Sequence, residues 1–207
     1  MPIDFFEIPC ENAFGDCQTQ EIKCLQAITQ KEFGISDSNS ASRTPAIVML
    51  SDKTKWDVIV QNPQERQVQY KAIDYCVEIY RTGTYNVNDD ASDIQDFSSD
   101  KISLSDSPEL IKRCEGMLIE QNMGILFFEL KVCSRSKWLA DARKKFEETI
   151  LSFKEHHPDK VNQIVEPVVS NKAFAKFRVH QNLAYQNRIL KDKIGKELKV
   201  TTEILIP

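Results

Sequence analysis

Arg113-Cys-Glu-Gly-Met-Leu-Ile-Glu-Gln-Asn-Met-Gly-Ile-Leu-Phe-Phe-Glu-Leu-Lys-Val-Cys133 is the stretch whose reading decides the fold. Two apolar runs, Met117–Ile119 and Ile125–Phe128, flank Glu120-Gln121-Asn122-Met123-Gly124, a polar loop ending in Gly. Apolar runs of strand length around a short Gly-containing loop predict a β-hairpin. If that loop sets the register, residues whose numbers sum to 244 face each other, so Glu115 stands opposite Glu129. Side chains alternate along a strand, which puts Lys131 on the same face as Glu129. Two carboxylates and an ammonium therefore meet at one end of the hairpin.

Like charges directly opposite each other destabilise a sheet, and apolar neighbours raise the cost by limiting solvent. A divalent cation between the two carboxylates compensates directly. Mg²⁺ takes oxygen ligands, commonly one or two carboxylates with waters and substrate phosphate. Lys131 then lies where it can orient or deprotonate an attacking water, or offset charge on the reacting phosphate.

Outward from the hairpin, Trp138, Leu139, Ala142, Phe146, Ile150 and Phe153 form a stripe that predicts a helix over 137–154, with Ser136 as its cap. His156 and His157, before Pro158, read as residues at the C-terminal end of that helix, where the dipole favours them. Beyond it the pattern predicts a strand near 163–169, a basic helix over 179–194, a stop at Gly195 and a strand over 198–206. Upstream, spacing of Ile22, Leu25 and Ile28 predicts a helix over 18–31 carrying Glu21. A Ser-rich breaker from Ser36 to Ser42 follows, then strands at 46–50 and 57–61 and a long or bent strand over 68–80. This order implies a mixed α/β or α+β domain around one sheet.

The segment 82–107 carries Asp89, Asp90, Asp93, Asp96, Asp100 and Asp106 against Lys101 alone and predicts a mobile acidic loop. It lacks the Gly and closing Glu of an EF-hand.

Glu115, thirteen intervening residues, Glu129-Leu130-Lys131 at the end of an apolar strand, and then an amphipathic helix resemble the PD-(D/E)xK nuclease superfamily. Within it, Phe127 to Lys131 resembles the second motif of small bacterial members that reads F-x-E-L-K. The match covers about residues 110 to 155, and the rest only by element order. The resemblance implies a restriction-endonuclease-like fold over 1–207, a mixed central sheet flanked by helices. It implies an Mg²⁺- or Mn²⁺-dependent nuclease cutting phosphodiester bonds, in DNA first, in restriction, repair or antiviral defence. Carried over, Glu115 and Glu129 bind the metal, the Leu130 carbonyl adds a ligand, and Lys131 assists the nucleophilic water. The first acid is usually Asp, whereas this chain has Glu115; Asp74 is its competitor. Where relatives often present a Gln from the following helix, this one offers Lys144, Lys145 and Glu148.

Charge adds to the picture. The 207 residues carry a net −4, yet from Lys131 to Lys199 sixteen Lys/Arg face eight Asp/Glu, leaving −12 for the remainder. A basic third within an acidic chain predicts a polyanion-facing surface. Its candidates are Lys172, Lys176, Arg178, Arg188, Lys191 and Lys193, interleaved with Phe174, Phe177 and Tyr185.

With 41% hydrophobic residues the chain can build a core, and its longest apolar runs are too short to span a bilayer. Two acids near Met1 stand where a secretory signal wants positive charge, which predicts a cytoplasmic protein. The six cysteines form no CxxC pair, which speaks for reduced thiols rather than a zinc ribbon. No Walker A loop, GxSxG elbow, HExxH helix or dinucleotide fingerprint is present. Two further readings stand beside the nuclease: a nuclease-fold module without turnover, working in nucleic-acid binding, protein assembly or a homodimer, and an interaction protein whose Glu/Lys face merely solvates the sheet.

Overall fold

In the computed structural model, residues 5–6, 24–37, 44–77, 79–81, 109–132, 137–173 and 180–207 are described. The chain is mixed α/β. Its strands are β1 (Leu25–Ile28), β2 (Glu32–Ser36), β3 (Ile47–Met49), β4 (Val58–Gln61), β5 (Val68–Ala72), β6 (Tyr80–Arg81), β7 (Glu109–Leu110), β8 (Gly116–Glu120), β9 (Gly124–Lys131), β10 (Val168–Asn171), β11 (Lys199–Val200) and β12 (Glu203–Leu205). Two helices, α1 (Trp138–His156) and α2 (His180–Ile194), lead into β10 and β11.

The central sheet has the order β1-β5-β8-β9-β10-β11, antiparallel up to β9 and parallel from β9 to β11. Its midpoint is the expected hairpin. Gly116 pairs with Phe128 and Glu120 with Gly124, the register read from the sequence.

Each face of this sheet has its own cover. Phe127 meets Phe153 of α1 edge-on at 5.3 Å, and the apolar stripe of α1 is buried there from Trp138 to Phe153. Packed beside α1, α2 is held by Arg143 Nε donating to Gln186 Oε1 (2.8 Å) and Lys154 Nζ donating to the Ile194 carbonyl (2.6 Å). On the other face Tyr70 stacks on Phe128 and donates its hydroxyl to the Ala46 carbonyl, just before β3. There a second sheet, β12-β4-β2-β3, closes the core. Close approach of this layer depends on Gly34, whose missing side chain leaves room for the Trp56 indole.

Several expectations change. Residues 25–28 are an edge strand paired with β5 rather than part of a helix, because pairing at the sheet edge overrides a three-residue spacing of Leu25 and Ile28 that in a strand puts them on opposite faces; residues 18–23, with Glu21, lie outside the described residues. β2 was not anticipated. The run 68–80 breaks after Ala72 in a turn where Tyr75 has φ 60°, and β6 pairs with β7 in a separate ribbon. Residues 158–163 form a 3₁₀ helix, moving the expected strand to 168–171. The closing strand splits between the two sheets. The acidic segment 82–107, Ser136, Cys10, Cys17 and Cys133 lie outside the described residues, while Cys24, Cys76 and Cys114 are buried and held in no disulfide among the described residues.

Gly124 and Gly195 make a matched pair for testing backbone demands. Gly124 has φ +94°, and a Cβ there would sit 2.2 Å from the Gln163 carbonyl oxygen; Gly195 has φ +75° with open space around it. Gly124→Ala should therefore cost roughly 3 kcal/mol, combining left-handed strain with a backbone collision. Gly195→Ala carries the strain alone and should cost about 1 kcal/mol. Urea denaturation of both variants checks the difference; equal losses would show that the hairpin can part from residue 163 freely.

Candidate metal centre at the end of the hairpin

The site is assembled where β5 ends, β8 begins and β9 finishes. Glu115 precedes β8, and its carbonyl accepts the N–H of Ile73 (2.9 Å) and of Asp74 (3.3 Å). That places Asp74 beside Glu115, although the two are far apart in sequence. The segment entering β8 is tied to α1: Lys112 N–H donates to Glu148 Oε2 (2.8 Å) and Cys114 N–H to Thr149 Oγ1 (2.9 Å). One turn earlier on the same helix side stands Lys145.

Three carboxylates converge on the Lys145 ammonium. Its Nζ lies 2.8 Å from Glu129 Oε1, 3.3 Å from Glu115 Oε1 and 3.8 Å from Asp74 Oδ2. Lys131 approaches the same Glu129 oxygen at 2.5 Å, while Glu129 Oε2 accepts the Glu115 N–H at 3.2 Å. Arg113 Nη2 donates to Asp74 Oδ1 at 3.1 Å. Glu129 is fully buried and Glu115 nearly so.

Burial, and next the charge of Glu129, push the Glu115 carboxyl up to about 8, against the opposing pull of Lys145. Burial alone would lower the Lys145 ammonium, but Glu129, Glu115 and Asp74 together outweigh it and hold that ammonium well above its ordinary range. Asp37, at the end of β2, feels the same field. Burial and then Asp57 raise it to about 6, with Asp74 and Glu129 adding to the rise.

A second polar group borders the first. Asp57 Oδ2 accepts the Ser36 hydroxyl (3.1 Å) and the Asp37 N–H (2.8 Å), and its Oδ1 lies 3.4 Å from Lys172 Nζ. Lys172 follows Asn171, which pairs with Lys131 across β9 and β10. Lys172 thus lies at the site end of the sheet.

The other basic candidates are distributed differently. Lys176 and Arg178 lie outside the described residues. α2 returns from the site end of β10 to the start of β11, so Lys191 and Lys193, in its last turn, lie toward the opposite end, about 20 Å along a helix of this length. Lys191 is paired with Glu197 (2.7 Å). Both line a surface cavity of about 510 Å³ with Leu183, Asn187 and Arg188, whose guanidinium lies over the Tyr185 ring. His156 Nδ1 lies 2.8 Å from the Ser152 carbonyl, and His157 Nε2 accepts the Phe5 N–H (3.3 Å). These two imidazoles serve the end of α1.

The donor chemistry of Asp74, Glu115 and Glu129 fits a hard divalent cation, since carboxylate oxygens converge on one cationic position. The cation at that position is Lys145. Among the described residues no group of three or more Asp, Glu, His or Cys side chains is arranged to hold a metal ion as it stands. Leu130 sits between the two charged residues of β9, its side chain buried and its backbone in register with Ser170. Sequence reasoning placed Asp74 second to Glu115, whereas the structure brings both to one ammonium; it named Lys145 only as one of three helix residues, and missed Asp37, Asp57 and Arg113. The i, i+3, i+4 spacing of Lys145, Glu148 and Thr149 was the signal for the helix side involved.

No family model, curated protein or solved structure matches the chain. Among the described residues, no helix is long and apolar enough to cross a membrane.

Proposed function

We propose that this protein is a divalent-metal-dependent nuclease of restriction-endonuclease-like fold that hydrolyses phosphodiester bonds, in DNA first. The observation that carries the reading is the meeting of Glu115 and a fully buried Glu129 at one end of the central hairpin, with Lys131 on the same face. A polar group this deeply buried is expensive unless it is compensated or used. The β8–β9 hairpin, the α1 crossover and the parallel β10 supply the surrounding architecture that such a site needs.

In this reading Glu115, Glu129 and Asp74 hold Mg²⁺ or Mn²⁺, and the Leu130 carbonyl adds a ligand. When bound, the cation supplies Lewis acidity toward a phosphoryl oxygen and lowers the pKa of water. Lys131 orients the attacking water and offsets charge on the phosphate. Glu129 holds the Lys131 ammonium in place, and the buried strands behind it exclude bulk water. Lys172, at the site end of β10, contacts the nucleic-acid backbone.

The test is nicking of supercoiled plasmid with and without Mn²⁺. Metal-dependent nicking supports the reading, and its absence, with no divalent-induced thermal shift, refutes it. The backbone contact has its own check. Lys172→Glu should weaken DNA binding several-fold and flatten its log–log salt dependence by about one unit, as expected for one lost phosphate contact. Lys191→Glu with Lys193→Glu, toward the far end, should change it less. The reverse ranking would move the binding face to α2.

A second reading has one observation in its favour. Lys145 already balances the carboxylates, as it would in a nuclease-fold module that binds nucleic acid or a protein partner without turnover.

A further inference from the structure

Asp74, Glu115 and Glu129 supply three carboxylates; Arg113, Lys131 and Lys145 supply three cationic groups. Their distribution is uneven. Arg113 is committed to Asp74 and Lys131 to Glu129, whereas Lys145 alone reaches all three acids. It does so from α1, on a side chain mostly withdrawn from solvent. The Glu129 and Glu115 oxygens stand 2.8 and 3.3 Å from the ammonium, the distances of its hydrogen bonds, with Asp74 further out at 3.8 Å, whereas a divalent ion needs its oxygens near 2 Å.

We infer that Lys145 is a built-in counter-ion that occupies the metal position in the resting protein and has to be displaced before a divalent cation binds. The inference rests on the metal-site reading above and adds a regulation of that site. An ammonium and a divalent ion cannot share three carboxylates at these distances, because their mutual repulsion in a partly buried site is strong. Lysine suits this use. Its charge rides on a flexible four-carbon stem, so the ammonium can swing out while the helix stays in place. The metal-free protein thereby keeps three acids together without collapse of the site, and its metal affinity is lowered by the work of removing Lys145.

Lys145→Met, Lys145→Arg, Glu129→Ala and the unmodified protein separate the possibilities when Mn²⁺ binding is followed by titration calorimetry and thermal shift. Lys145→Met should bind Mn²⁺ at least about tenfold more tightly than the unmodified chain, while its metal-free form melts lower. Lys145→Arg, which keeps the charge, should stay near the unmodified affinity. A Lys145→Met variant that folds only with Mn²⁺ present gives the same answer. Independently of any variant, acylation of the unmodified protein followed by mass spectrometry should label Lys145 more readily once Mn²⁺ is bound. Equal or weaker Mn²⁺ affinity in Lys145→Met, or Lys145 labelling unchanged by Mn²⁺, would overturn the counter-ion role while leaving the metal site standing. Absence of any Glu129-dependent Mn²⁺ binding would overturn both.

Discussion

Glu129→Gln should abolish plasmid nicking and erase the melting shift produced by Mn²⁺. Both oxygens of the fully buried Glu129 are engaged by the site's own parts: one meets Lys131 and Lys145, the other takes the Glu115 N–H. Removing its charge withdraws a metal ligand and releases Lys131 together. Metal-ion catalysis contributes several kcal/mol, so at about 1.4 kcal/mol per decade the loss should be on the order of a thousandfold or more. The variant should also lose roughly 2 kcal/mol of stability, less than the 3–5 kcal/mol of an abandoned buried partner because Lys145 keeps Glu115 and Asp74. A steady-state nicking assay run well below the variant's melting temperature separates the two effects. Asp74→Asn, which retains the Glu115–Glu129 pair, should lose less activity. Full activity in Glu129→Gln would end the metal-site reading.

The second large effect is a dependence on pH whose sign is opposite to that of ordinary carboxylates. Glu115 is raised from near 4.5 to about 8 on folding, and Asp37 from near 3.8 to about 6. Between the lower and upper values the folded protein binds more protons than the unfolded one, so stability falls as pH rises through that window. For Glu115 the window runs from about 4.5 to about 8, and each unit within it is worth up to about 1.4 kcal/mol. The metal-free protein should therefore melt at a higher temperature near pH 5.5 than near pH 8. With saturating Mg²⁺ the trend should reverse, since the cation competes with the proton for the same oxygens. Glu115→Gln should flatten the metal-free slope. A metal-free melting temperature that climbs steadily from pH 5 to 8 would mean that Glu115 is ionised throughout.

The hairpin was the part of the molecule most legible from its residues. A short loop fixes register, and register alone puts Glu115 across from Glu129, as found in the pairing of Gly116 with Phe128. Both helices were legible because a 3.6-residue stripe such as Trp138 to Phe153 has no competing interpretation at that length. The first strands were not. Leu25–Ile28 is too short for its period to distinguish helix from strand, and only Lys71 to Val68 of β5, its pairing partner, decides the matter. Asp37 escaped for a similar reason, and Asp74 was read only as an alternative to Glu115 rather than as its neighbour. Their approach to Glu129 depends on a turn after β5 and on the packing of a second sheet, neither of which leaves a local pattern. Lys145 was visible as a helix residue, but its three simultaneous contacts are a tertiary fact.

The pairing of β12 with β4 carries a consequence for the order in which the molecule forms. Glu203 aligns with Ile59 and Leu205 with Gln61, so one edge of the second sheet is supplied by residues that are synthesised long after the strand they cover. Until they arrive, β4 presents an open row of backbone donors and acceptors, the kind of edge that invites pairing with another chain. Such distant pairing also has to overcome a large loop-closure entropy, which slows folding. The Ser36–Asp57–Asp37 group sits at that same sheet, joined to the central one by the Ser170 hydroxyl on the Asp57 carbonyl. That group therefore borders a sheet begun near the front of the chain and closed by its far segment.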